Sequence, residues 1–238
     1  MFVDRLLAVG DNSRHRDGED AIAYPVAHVT AGQAVQLTVK RILDVGLALV
    51  LLVLISPLLV AIALAVRFSS PGPVLFRQAR LGLRGRPFEI VKFRTMHVDA
   101  ADLRNPDGST FAGAQDPRVT RIGQVLRRTS LDELPQLVNV LLGHMSFVGP
   151  RPDLVTHLSQ YSALELRKLD MRPGITGLAM VRGRNALSWA GRKALDVEYV
   201  NRFSLWLDMD ILIRTIPAVL FGTGVLSPDA ESAREPKR

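Results

Sequence analysis

The chain has 238 residues, 47% of them hydrophobic and 22% charged, a balance that excludes a disordered or collagen-like polymer and leaves room for one well-buried domain with appendages. It has no cysteine, which excludes disulfide scaffolds, thiol nucleophiles, iron-sulfur clusters and cysteine-ligated zinc, and its five histidines are too scattered for a helix-borne metal pair. The formal net charge is +7, and residues 67–128 alone hold twelve Lys and Arg against five Asp and Glu, so the excess belongs to one segment and asks for an anionic partner: nucleic acid, a phosphorylated small molecule or an acidic membrane surface.

In chain order, residues 1–36 are mixed and polar and read as a poorly ordered extension. Residues 42–66 follow, a run of 25 in which only Asp44 and Ser56 are polar. That is long enough to cross a bilayer, and it starts too far from Met1 to be a cleaved signal peptide. Ser56-Pro57 lies past its middle, where proline removes a backbone donor and bends a helix. Lys40-Arg41 and Arg67 make both flanks basic, so the positive-inside rule favours neither end. Two topologies fit: a kinked spanning helix, or a segment that dips in, bends and returns to the same face.

SSPGP at 69–73 makes a rigid exit, and residues 74–81 and 87–96 around the turn-like GLRGR predict a β-hairpin carrying basic side chains. Residues 103–118 read as a loop and 119–142 as helix interrupted at Pro135. A mixed-charge helix is predicted over 153–170, between the rigid loops GPRP (149–152) and RPGITG (172–177). Residues 203–222, with Trp206 near their start, predict either an interfacial helix on a membrane surface or a helix of the core. The end of the chain reads as a solvated tail.

The chemistry concentrates between Asp116 and Asp153. Only two acids lie inside that stretch, Asp132 and Glu133, and they share it with five arginines including Arg127 and Arg151. A lone carboxylate pair among arginines beside a membrane suits a phosphorylated substrate: the cations neutralise phosphate, and the carboxylates hold a metal or act as nucleophile or base. The alternative is structural, with Ser130 and Glu133 forming a capping box at a helix start; Pro135 in the second turn conflicts with it. Lys92 and Arg94 share a strand face with Ile90, which reads as an exposed basic face or a ligand site. Arg151 stands between two prolines that display it rigidly, which favours a ligand role. There is no P-loop, GxGxxG, GxSxG or HExxH. A nucleic-acid partner lacks any recognition module, and a non-catalytic module binding anionic lipid or an assembly partner would need the basic segment without the acidic dyad.

The ordered succession KRILDVGLALVLLVLISPLL, SPGPVLFRQARLG, FEIVKFRTM, TSLDELPQLVNVLLGHMSFVGPRP, MRPGITG, GRNALSW and DVEYVNRFSLWLDMDILIRT resembles the bacterial sugar transferases, monotopic polyprenyl-phosphate phosphoglycosyl transferases of the small, single-domain type. The resemblance runs from about Lys40 to Gly222. It implies a mainly α fold with a small β-hairpin: a re-entrant membrane helix at 37–68 bent at Ser56-Pro57, a catalytic domain with interfacial helices at 69–222, and a disordered tail at 223–238. It implies a bacterial inner membrane with the catalytic domain on its cytoplasmic face. The implied reaction moves a phospho-sugar from a nucleotide sugar, usually a UDP sugar, to undecaprenyl phosphate, opening the assembly of capsules, exopolysaccharides, O-antigens or glycoproteins. By the same resemblance Asp132 is the nucleophile and lies near Mg2+, Glu133 is catalytic and either helps deprotonate the acceptor phosphate or supports the metal, and Arg127 and Arg151 bind substrate phosphate. Lys92, Arg94 and Arg184 are weaker matches to that role.

Overall fold

The computed structural model describes residues 31–101, 103, 116–183 and 186–220. The expected N-terminal extension up to residue 30, most of the 103–118 loop, Arg184 and the tail lie outside these. Helix α1 (Ala31–Leu54) and helix α2 (Ser56–Ser69) meet at a 65° bend. No single described helix is long and apolar enough to cross a membrane, but the bent pair is when taken together. The bend has a local cause. Pro57 has no N–H for the carbonyl of Val53 four residues back, and the Ser56 hydroxyl donates to that carbonyl instead, at 2.8 Å. The ordered helix begins at Ala31, inside the stretch predicted as extension.

Strands β1 (Leu75–Leu81) and β2 (Pro87–Phe93) form the predicted antiparallel hairpin, with Leu75 opposite Phe93 and Leu81 opposite Pro87. Helix α3 (Arg121–Thr129), a single 3-10 turn (Leu131–Glu133) and helix α4 (Gln136–Leu141) replace the interrupted helix. Strand β3 (Ser146–Val148) pairs in parallel with β4 (Gly174–Thr176), an element the sequence reading missed because three-residue strands carry no readable alternation. Helices α5 (Leu178–Val181), α6 (Trp189–Asn201) and α7 (Leu205–Leu220) follow among the described residues. The architecture is mainly helical with a small hairpin, and its bent helix pair matches a monotopic membrane topology.

Two predictions are corrected. Residues 153–170 are not one helix but two 3-10 segments, Val155–Gln160 and Glu165–Asp170. The Glu165 carboxylate accepts from both the backbone N–H and the hydroxyl of Ser162, a local turn that competes with helix. Ser130 does not begin a helix as a capping residue. It has φ 58° and ends α3, its side chain making no cap bond to the following turn.

Both arms of the bent pair are bound into the rest of the fold. Ala48 of α1 packs with Phe88, Ile90, Val140 and Met145, while Ile62 and Val66 of α2 pack with Phe93 and Leu126. Polar bonds reinforce the first arm: Lys40 pairs with Asp208 at 2.5 Å, Arg41 donates to the carbonyls of Val140 and Leu141, and Asp44 accepts from the Phe147 N–H. A third cluster, Val148, Met171, Leu178, Tyr199, Val200 and Ile211, forms the core under α6 and α7. Helix α7 has a core face and an exposed apolar face. Ile211 enters the core, while Trp206, Met209, Ile213 and Ile216 stand exposed at spacings that share the opposite face.

Candidate active site

The acidic dyad is held over β2 by fixtures on either side of it. On one side, the Thr120 side chain caps α3 by accepting from the Gly123 N–H at 2.9 Å. The Thr120 N–H in turn donates to the Thr95 carbonyl just past β2. A Cβ at Gly123 would lie 2.0 Å from that same carbonyl, so only glycine allows this approach. On the other side, Asn139 of α4 sews the helix to β2: its carbonyl accepts from the Val91 N–H at 3.0 Å and its amide donates to the Glu89 carbonyl at 2.7 Å. Pro135 sits at the N-cap of α4, where its missing N–H costs nothing. The interruption that conflicts with a capping box is therefore the turn that carries the dyad.

Lys92 of β2 forms an ion pair with Glu133 at 2.5 Å, both side chains 19% exposed. Asp132 is half-buried, and burial followed by the Glu133 charge pushes its carboxyl up to about 6, against the opposing pull of Lys92 and Arg127. Arg127 is fixed by a bond from Nε to the Thr95 hydroxyl at 3.0 Å. Burial lowers its pKa and the Asp132 charge acts against that. A carboxylate that retains some basicity near neutral pH, with two cations beside it, is equipped to attack an electrophile that carries negative charge.

Beside the dyad opens a cleft walled by β2, the dyad turn, the start of α4 and the two rigid loops at 149–152 and 174–177. Its lining holds four cations, Arg80, Lys92, Arg151 and Arg192, against the acids Glu133 and Asp196. That excess suits a diphosphate. Glu133 reaches the wall of the cleft, whereas Asp132 is not among the lining side chains. The two loops touch backbone to backbone: the Gly149 N–H donates to the Thr176 carbonyl and the Gly174 N–H to the Pro150 carbonyl, each at 2.9 Å.

The bacterial sugar transferase family matches this chain over residues 35–222. The chain belongs to that family. Among relatives of this sugar transferase, a UDP-glucose:undecaprenyl-phosphate glucose-1-phosphate transferase of Caulobacter vibrioides is 48% identical over 191 residues, covering 76% of this chain and 69% of the relative. A protein of the same name from Escherichia coli is 43% identical over 220 residues, 86% of this chain but 46% of the relative. The exopolysaccharide production protein ExoY of Rhizobium meliloti is 43% identical over 196 residues, 78% of this chain and 87% of the relative.

Within this sugar transferase the residues singled out from sequence fall in different places. Asp132, Glu133, Lys92 and Arg127 come together. Arg151 lies on the rim of the same cleft with an exposed side chain, its backbone N–H donating to both oxygens of Asp196 at 3.3 Å. Arg94 is elsewhere: it lies past the end of β2, is 6% exposed, and donates to the carbonyls of Ser70 and Pro71, tying down the chain as it leaves α2. The two-residue spacing from Lys92 misplaces it because the strand ends at Phe93. Ser56 and Pro57 form the bend, remote from the cleft. Sequence reading missed Asp196 and Gln136. The second left a signal, one of two polar residues, with Asn139, in the largely apolar stretch after Pro135.

Proposed function

We propose that this sugar transferase moves a sugar 1-phosphate from a UDP sugar to undecaprenyl phosphate in two displacements at Asp132. In the first, an Asp132 oxygen attacks the phosphorus bonded to the sugar and the bond to the departing UMP breaks, leaving an aspartyl phospho-sugar. In the second, an oxygen of undecaprenyl phosphate attacks the same phosphorus and the bond to Asp132 breaks, which restores the carboxylate. The observation that carries this reading is the half-buried dyad held between Lys92 and Arg127 beside a cation-lined cleft, together with the relatives named for this reaction.

Each nearby residue has a part in this reading. Glu133 keeps Asp132 basic by its charge and holds Lys92 on the cleft wall. Arg127 and Lys92 offset the repulsion between an attacking carboxylate and an anionic diphosphate, and Arg151 binds phosphate from the rim. Among the described residues no three metal-ligating side chains converge. The dyad fits Mg2+ all the same, because that ion takes one or two carboxylates and completes its shell with water and substrate phosphate. Asp132 would hold it, and when bound it supplies further neutralisation of the diphosphate oxygens. We place residues 37–68 in the bacterial inner membrane and the catalytic residues 69–222 on its cytoplasmic face, where nucleotide sugars are available.

The test omits the lipid acceptor. Enzyme, Mg2+ and a panel of UDP sugars are incubated and the intact protein is weighed by mass spectrometry. The expected result is one phospho-sugar adduct on the wild type, absent from Asp132→Asn. Transfer by Asp132→Asn, or UMP release only when both substrates are bound, would refute the covalent route.

A further inference from the structure

Gln136 and Asn139 lie three residues apart on α4, and each is 2% exposed. Asn139 is fully explained by the fold, since both ends of its amide bond β2. Gln136 is not. Its side chain lines the cleft, and its amide has no hydrogen-bond partner among the described residues. An amide that the fold leaves unbonded and that opens into a cleft beside catalytic carboxylates is placed to bond a ligand there.

We propose that the Gln136 amide binds the hydroxyl groups of the sugar that is transferred, an inference that rests on the reaction proposed above. Two observations select the sugar from the parts of a nucleotide sugar. An amide offers a donor and an acceptor side by side. A hydroxyl uses both, whereas a phosphate oxygen, an acceptor, would use the donor alone. Phosphate already has Lys92 and Arg151 on the same wall. The second observation is position. Gln136 follows Glu133 by one helical turn, and both face the cleft. The sugar is bonded directly to the phosphorus under attack, while the nucleobase is a second phosphate and a ribose further away.

The fold gives this inference an unusual signature. Gln136→Leu keeps the side-chain size and removes an amide that no bond among the described residues uses, so the variant should melt close to the wild-type temperature. Asn139→Leu removes bonds the fold uses and should melt lower. The experiment uses the full chain in detergent or nanodiscs with undecaprenyl phosphate, and a panel of UDP sugars to find the one the wild type consumes. It records melting temperature, affinity for UDP, which lacks the sugar, and kcat/KM for that UDP sugar. For Gln136→Leu we expect unchanged UDP affinity and a loss of about ten- to a hundredfold in kcat/KM. A drop in melting temperature that accounts for the lost activity makes Gln136 structural and overturns the inference. So does a parallel loss of UDP affinity, which makes it a nucleotide contact, and so does an unchanged kcat/KM. If the wild type turns over no UDP sugar in the panel, the reaction itself is wrong and the inference falls with it.

Discussion

A carboxylate attacks phosphorus only when ionised, and the surroundings that make Asp132 a good base also protonate it in mild acid. With burial and Glu133 pushing its carboxyl up to about 6, kcat/KM, which follows the free enzyme, should fall about tenfold per pH unit below that value. The neighbours give opposite tests. Lys92→Met removes a cation that favours the ionised form and should move the acid limb to higher pH. Glu133→Gln removes a repelling charge and should move it lower. Profiles that shift the same way, or do not shift, would assign the titration to another group. Two arginines divide in the same spirit. Arg151→Ala should depress kcat/KM by about ten- to a hundredfold with no change in melting temperature. Arg94→Ala should do the reverse, destabilising by about 2–3 kcal/mol because it strands two carbonyls at the exit of α2. Equal effects of the two on activity would mean that neither placement describes the working enzyme.

Among the elements, those with a period were legible in the sequence and those held by long-range bonds were not. The hairpin, the bend at Pro57 and the break at Pro135 could all be read because alternation and proline act locally. The pairing of β3 with β4 depends on residues far apart in sequence, and the two 3-10 segments on a turn at Ser162 that a mixed-charge pattern does not reveal. The clearest case lies under the Pro-Arg-Pro loop. Lys168 is buried and bridges Asp153 at 2.7 Å and Asp196 at 2.8 Å, while Asp196 also holds the Arg151 backbone. In sequence these are three unremarkable charges spread over forty residues. Burial works against the Asp153 carboxylate, yet Lys168 and the Tyr161 hydroxyl hold it at about 2, so it stabilises the fold above the ordinary carboxylate range and loses that contribution as pH falls through about 2. Lys168→Met leaves two buried carboxylates facing each other and should destabilise by about 3–5 kcal/mol near neutral pH. The deficit should shrink as the pH is lowered toward 4, because the freed carboxylates then take up protons. Thermal melting of the purified variant across pH checks the sign, and a deficit that grows in acid would contradict this account.

At the scale of the whole molecule, the contacts that fasten the bent helix pair to the rest of the fold bear on the membrane topology. The entry to the apolar pair is held by Lys40 on Asp208, Arg41 on the end of α4 and Asp44 on β3. Its exit is held by Arg94 on Ser70 and Pro71 and by the packing of Ile62 and Val66 on Phe93 and Leu126. Entry and exit are thus fastened to one folded body that also carries the cleft. A spanning helix would place one of these sets on the far side of a bilayer, breaking a buried ion pair and exposing a core cluster. A bend that returns the chain breaks nothing, and it leaves exposed apolar side chains such as Leu47, Val53, Leu58 and Phe68 to meet lipid, with the Trp206 face of α7 available to the interface. The absence of cysteine makes the test simple. Single cysteines at Val39 and at Ser69, both exposed and on opposite sides of the bend, are treated in intact cells with an impermeant thiol reagent. Neither should be labelled until the membrane is permeabilised, and then both should be. Labelling of one position alone in intact cells would mean that the chain crosses the membrane and that the two sets of contacts do not coexist there.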